Sequence, residues 1–250
     1  MGKTENGQHR FGLLGKDISY SFSKGYFTKK FSDLGLNNHS YENFDLPSIA
    51  QFMGLIENTK DLEGLNVTIP YKEAVIPYLT ELHYKAEQIG AVNTIKFTKK
   101  GLVGYNTDAY GFEKSIEPLL KKHHRKALIL GTGGASKAVA YVFGTLKVDY
   151  KFVSRTQGQN RITYGELTRE VMEDHTILVN CTPLGTHPGI SRKPPVHYQF
   201  LGSDHLLFDL IYNPDQTAFL KEGKAKGAVI SNGLRMLELQ AEKAWEIWGV

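Results

Sequence analysis

The chain has 250 residues, 41% of them hydrophobic and 22% charged, with a formal net charge of +4. That is enough to bury a sizeable core in one large or two small domains, and the charge is too mild to demand a nucleic-acid partner. The single cysteine, Cys181, excludes an intramolecular disulfide and points to a reducing compartment, the cytoplasm. No run approaches the apolar length of a membrane span.

The polar start, residues 1–8, reads as a loose leader without a signal-peptide core. After it, strand-like and helix-like runs alternate along the chain, which predicts an α/β protein with mainly parallel sheets. The first part reads as a strand over 11–15, a helix over 23–34, a strand over 40–44, a helix from Pro47 and a strand over 65–69. Residues 92–97 and 102–105 read as a hairpin across Lys99-Lys100-Gly101. The domain change is expected near Asn106, ahead of a helix that carries Phe112 and Ile116 and breaks at Pro118. The run Lys121-Lys122-His123-His124-Arg125-Lys126 reads as a solvated loop or helix end. The nine histidines show no HExxH spacing, and no paired cysteines accompany them, so no metal site is expected.

The second part is a cleaner repeat. A buried strand over 127–130 leads into Gly131-Thr132-Gly133-Gly134-Ala135-Ser136, and Val139, Val142, Phe143 and Leu146 then fall at helical spacing. Further strands are expected over 151–153, 177–181 (taking in Cys181), 206–210 and 228–230, and a closing helix where Leu237, Ala241, Ala244 and Trp248 share a face.

A strand, a glycine-rich turn and a helix in succession suit a pyrophosphate, because the backbone amides can approach the phosphates and the helix N-terminus attracts an anion. Gly131, Gly133, Gly134 and Ala135 are the candidate cofactor residues, with Ser136 in the third glycine position. The next strand ends Val153-Ser154-Arg155-Thr156, with no acid to bond a ribose 2′-hydroxyl. A guanidinium there can pair with a 2′-phosphate, which favours NADP over NAD; the plainer alternative is a solvated arginine.

Four polar clusters remain: Ser21-Phe22-Ser23, the segment from Asn66 to Lys72, Ala91-Val92-Asn93-Thr94 and Gly104-Tyr105-Asn106-Thr107-Asp108. With the glycine loop, Asn180-Cys181-Thr182-Pro183-Leu184-Gly185, Tyr212-Asn213-Pro214 and Asn232-Gly233-Leu234-Arg235-Met236-Leu237, they follow one another in the order and spacing of a known family. From about Phe11 to its C-terminus the chain resembles the shikimate dehydrogenases.

The resemblance implies an N-terminal substrate domain over 1–105, completed by the C-terminal helix 233–250. It implies a Rossmann-type, doubly wound NADP-binding domain over 106–232, with a cleft between the two whose closure excludes water. The implied activity is reversible NADPH-dependent reduction of 3-dehydroshikimate to shikimate, in aromatic amino acid biosynthesis, by a cytoplasmic monomer or homodimer with no membrane or nucleic-acid partner. Lys72 and Asp108 match the catalytic pair. Lys72 follows Pro70 in a first helical turn, where the dipole disfavours a cation and suits a lysine that must pass a proton on. A surface lysine and a helix N-cap are the alternatives for these two. Ser21 and Ser23 match the pair that holds the substrate carboxylate, or else they cap a helix. Asn66, Thr68 and Asn93 match residues on the ring hydroxyls, or they form turns. Tyr212 and Gln240 match later substrate contacts; the alternatives are a loop anchor and an exposed helix residue. Gly233 and Met236 match positions near the nicotinamide, with core filling the alternative for Met236, and Thr182 lies after a strand carboxyl end, where open α/β sheets place ligands.

The chain departs from the family pattern at Tyr20 and Lys24, where His and Pro are common around the serine pair, at Ser154, where Asn is usual, and at Thr132 in place of Ala. Rival readings are a quinate/shikimate dehydrogenase of broader specificity using NAD, which an acid at position 155 would favour, and a non-catalytic regulatory protein binding NADP or a shikimate-like ligand, which loss of Lys72 or Asp108 would favour.

Overall fold

A computed structural model describes residues 7–19 and 21–250; the leader reading of residues 1–6 and the departure at Tyr20 lie outside the described residues. The chain divides into two compact units, one made of the residues up to Thr107 together with Ala241–Val250, the other Asp108–Gln240.

The first unit contains β1 (His9–Gly15), α1 (Phe22–Asp33), β2 (His39–Asp45), α2 (Phe52–Asn58) and β3 (Leu62–Val67). It continues with α3 (Tyr71–Ala74), β4 (Glu81–Leu82), α4 (Tyr84–Ile89), β5 (Thr94–Thr98) and β6 (Gly101–Tyr105). Its sheet runs β2-β1-β3-β5-β6-β4. The sheet is mixed: β5 runs antiparallel to β3 and forms the expected hairpin with β6, while the other three pairings are parallel. One face packs Phe11, Phe27, Phe31, Tyr41 and Trp248, and the other Leu14, Phe52, Leu65, Val75 and Ile95. Alternation along each strand sends successive side chains to opposite faces and so feeds both layers.

At Gly64 on β3 the C-terminal helix comes close to this sheet. A Cβ there would stand 2.3 Å from Trp248 Nε1, and the indole donates to the Ile95 carbonyl at 3.0 Å. A side chain at position 64 would occupy the indole's space, so glycine admits the tryptophan.

The second unit begins with α5 (Asp108–Ile116), which stops just before Glu117-Pro118 as proline requires. There follow β7 (Lys126–Leu130), α6 (Gly134–Thr145), β8 (Asp149–Ser154), β9 (Arg161–Thr163), α7 (Arg169–Asp174) and β10 (Ile177–Asn180). The unit ends with β11 (Leu206–Asp209), α8 (Ala218–Ala225), β12 (Val229–Ser231) and the first half of α9 (Leu234–Trp248). The order β12-β11-β10-β7-β8-β9 is parallel throughout and reverses direction between β7 and β10, which makes it a doubly wound sheet. β10 and β11 are buried end to end, as continuous apolar strands covered by helices should be.

Two expectations need correction here. His124, inside the basic run expected to be solvated, is buried at 4% exposure. Its Nδ1 accepts from the Lys121 amide at 2.9 Å and its Nε2 bonds the Asp204 carbonyl at 3.1 Å, and burial lowers its pKa. β10 ends at Asn180, one residue before Cys181, whose amide still reaches the Leu130 carbonyl; burial pushes its thiol well up. The second unit ends at Gln240 and the first resumes at Ala241, both within α9.

Candidate active site

In the first unit, polar side chains gather where the sheet strands end. Ser21 is the N-cap of α1, its hydroxyl accepting from the Ser23 amide at 3.1 Å, so the capping role is real. Its own proton stays available to an anion at that helix end. Ser23 is buried one residue into the helix. Asn66 sits near the end of β3, opposite Thr94 on β5. It accepts from the Tyr41 hydroxyl at 2.7 Å and donates to Thr94 Oγ1 at 3.3 Å and to the Asn93 carbonyl at 3.4 Å. Asn93 is 2% exposed; it donates to Thr107 Oγ1 at 2.9 Å and accepts from the Thr107 amide at 2.6 Å.

These contacts make one connected buried network in which each amide orientation is set by its neighbours. Thr68 lies just past β3; its amide bonds the Leu14 carbonyl and its own carbonyl accepts from Tyr71. Lys72 follows on α3, half-buried, its carbonyl accepting from Val92. α3 is a single turn of four residues, so the dipole invoked for Lys72 has little helix behind it.

In the second unit, three loops leave the C-terminal edge of neighbouring strands side by side. Gly131 bonds Val153 at the end of β8, while Cys181 after β10 bonds Leu130 at the end of β7. Gly131 has φ +108°, a conformation that favours glycine, and a Cβ there would press on the Cys181 carbonyl at 3.3 Å. Gly133 is the N-cap of the twelve-residue α6 and supplies no capping side chain; a Cβ built on it meets nothing within 4 Å. Gly134 and Ala135 therefore open the helix on its amide-rich end. Ser136, in the third glycine position, turns inward, fully buried, and donates to the Gly133 carbonyl at 2.7 Å. That explains how a hydroxyl replaces a glycine without blocking the loop.

Ser154 ends β8, its hydroxyl accepting from the Thr156 amide at 3.2 Å, and Arg155 and Thr156 are exposed beside the glycine loop. Thr182 is held by Asn180, whose Oδ1 accepts from both its amide and its hydroxyl. Asn180 in turn donates to Asp209 at 3.0 Å. Asp209 is fully buried, and burial raises its carboxyl from 3.8 to about 6 against three hydrogen bonds that oppose the shift. Gly233 is buried beside the Leu210 carbonyl, Met236 and Gln240 are buried on α9, and Tyr212 is half-buried in the loop after β11. Burial of Gln240 rules out its alternative as an exposed helix residue. Asp108 is the buried first residue of α5.

Sequence reading missed Tyr41, Asn180 and Asp209 as parts of these networks. The available signal was the inward register of Tyr41 on β2, since a buried phenol needs a partner.

The open glycine cradle, uncapped by any side chain, fits a pyrophosphate, and the exposed guanidinium at the end of β8 fits an added phosphate on the ribose.

A profile described as the shikimate dehydrogenase substrate-binding domain matches residues 13–95. A shikimate dehydrogenase (NADP(+)) of Methanococcus aeolicus is 35% identical over 260 residues, covering 95% of this chain and 90% of its own. This chain belongs to the shikimate dehydrogenase family. Solved members of the family superpose on it closely. The enzyme from Peptoclostridium difficile has TM-score 0.85 and 35% identity, covering 96% of this chain and 91% of its own. The enzyme from Thermus thermophilus, in complex with NADP(H) and shikimate, has TM-score 0.85 and 32% identity, covering 97% and 94%.

Proposed function

We propose that the protein is an NADP-dependent shikimate dehydrogenase, interconverting shikimate and 3-dehydroshikimate. The observation that carries the cofactor assignment is the pairing of the uncapped α6 cradle with Arg155 at the end of β8. Gly131, Gly133, Gly134, Ala135, Ser154, Arg155, Thr156, Thr182, Gly233 and Met236 would hold the dinucleotide, whose contribution when bound is a hydride for the ketone carbon. The protein's own groups do the rest. Ser21 and Ser23 meet the carboxylate with hydroxyls. Asn66, Thr68 and Asn93, with Tyr212 and Gln240, meet the ring hydroxyls and so fix which ring carbon faces the hydride.

Reduction leaves an oxyanion that needs one proton, and oxidation must remove that same proton. Lys72 gives and takes it, with Asp108 as the carboxylate partner in the chemistry. A substrate domain up to residue 107 and a nucleotide domain from residue 108 divide these tasks. The relatives' names support a biosynthetic role, and no helix among the described residues is long and apolar enough to cross a membrane.

The test is Lys72→Ala. Losing a positioned proton donor should lower kcat by roughly 10²–10⁴-fold while the KM for NADP stays near that of the wild type. Near-normal turnover would remove the lysine from the mechanism.

A further inference from the structure

Ser21 caps α1 from a loop whose backbone is gripped by two side chains of β2. Asp45 Oδ1 accepts from the Asp17 amide at 2.9 Å, and its Oδ2 accepts from the Ile18 amide at 3.2 Å. Asn43 Nδ2 donates to the Ile18 carbonyl at 3.0 Å. That same carbonyl accepts from the Ser21 amide at 3.1 Å. The residue that caps α1 therefore hangs on a peptide group that β2 holds in place.

The grip follows from the strand geometry. Asn43 and Asp45 alternate onto one face of β2, opposite Leu13 and Gly15 of β1 in the parallel register. Asp17 stands at φ +56°, a left-handed conformation that an aspartate adopts at some cost. Such a turn brings successive amides toward one anion, and the Asp45 carboxylate holds it closed. The Ile18 side chain is 5% exposed and joins the core of Leu13, Phe27 and Tyr41, so the loop cannot slide along the strand. Gly15 braces the other side. A Cβ there would stand 2.6 Å from Ile18 Cγ2 and 2.6 Å from Thr68 Cγ2. Its absence lets Ile18 and Thr68 close over the end of β1.

We propose that Asn43 and Asp45 are positioning residues for recognition of the substrate carboxylate. By fixing both backbone groups of Ile18 they set where Ser21 presents its hydroxyl, and with it the spacing from the carboxylate site to Thr68. Both act through Ile18 rather than on the substrate. This rests on the functional reading above, in which Ser21 and Ser23 meet the carboxylate and Thr68 meets the ring.

Asp45→Asn separates positioning from charge. Asparagine replaces one acceptor with a donor, so one of the two amides loses its partner. Removing a negative charge near an anion would by itself tighten binding, so charge alone lowers the KM for shikimate, whereas a loosened loop raises it. That KM should rise about five- to tenfold, the worth of one hydrogen bond, with the KM for NADP unchanged. Asn43→Ala should act alike, and the double variant should raise the KM by less than the product of the single effects, since both act through Ile18. Shikimate methyl ester, whose carboxyl is neutral, should bind the wild type and both variants alike in titration calorimetry. A merely structural pair would weaken acid and ester equally. A KM for shikimate that falls or stays constant in Asp45→Asn, or equal losses for acid and ester, would overturn the positioning role. A wild type that binds acid and ester equally overturns the carboxylate reading of Ser21 and Ser23 as well. A wild type that prefers the acid, with unaltered variants, overturns only the part given to Asn43 and Asp45.

Discussion

Gly64→Ala puts a single methyl group where the Trp248 indole leaves no room. The added Cβ would lie 2.3 Å from Trp248 Nε1, 2.5 Å from Cδ1 and 2.6 Å from Cε2. An indole cannot yield there as a flexible side-chain end would. Trp248 is 6% exposed, packs on Phe11 at 4.8 Å and Phe27 at 5.3 Å, and donates to the Ile95 carbonyl. Overpacking of this kind costs about 1–3 kcal/mol. Displacing the indole also strands a buried donor and acceptor, another ~1–3 kcal/mol. Alanine's lower unfolded-state entropy returns only about 0.5–1 kcal/mol, so destabilisation wins by roughly 3 kcal/mol. For a chain of this size that lowers the melting temperature by about 6–12 °C. Thermal unfolding followed by circular dichroism and tryptophan emission would show the drop together with a red-shifted native spectrum. Replacing Trp248 by Leu in the same chain should leave a combined loss smaller than the sum of the two single losses. A melting temperature unchanged within about 2 °C, with unaltered emission, would refute the packing argument.

Two further predictions concern the second unit. Asp209 binds its proton more tightly in the fold than in the unfolded chain, so the stability it contributes is complete below its unfolded pKa and is lost as pH rises through about 6. At about 1.36 kcal/mol per pH unit, raising the group from 3.8 to about 6 makes Asp209→Asn gain roughly 3 kcal/mol on the wild type between pH 4 and 7.5. Denaturant unfolding across that range checks this, and a difference independent of pH would contradict it. Arg155→Ala should raise the KM for NADP by about 10–100-fold, the range for a charge-assisted pair, and leave that for NAD nearly unchanged. Equal loss with both dinucleotides would deny Arg155 a role in reading the phosphate.

Much of the second unit was legible because its physics is local. Val139, Val142 and Phe143 share a buried helix face, and β7, β10 and β11 each carry an apolar run of three or four residues, so period and composition agree with the fold. β4 and β9 were not legible, since strands of two and three residues at sheet edges carry no period. In the first sheet the β5–β6 hairpin was legible from its Lys99-Lys100-Gly101 turn, whereas the antiparallel pairing of β5 with β3 was not, because direction there is decided by how the connection folds back. The site divides along the same line. Serines, amides and glycines at strand ends advertise themselves by being polar where chain turns alone do not need it. Tyr41 gives no such sign, because its role comes from a hydroxyl carried across β1 to Asn66, and His124 looks solvated until its two backbone partners are seen.

NADPH formation by the purified protein tests the substrate and cofactor pair together. Shikimate and quinate should each be offered with NADP and with NAD. Fast turnover is expected with shikimate and NADP, and far slower turnover with every other pair. Turnover favouring quinate with NAD, or none with any pair despite tight binding of NADP or shikimate, would contradict it.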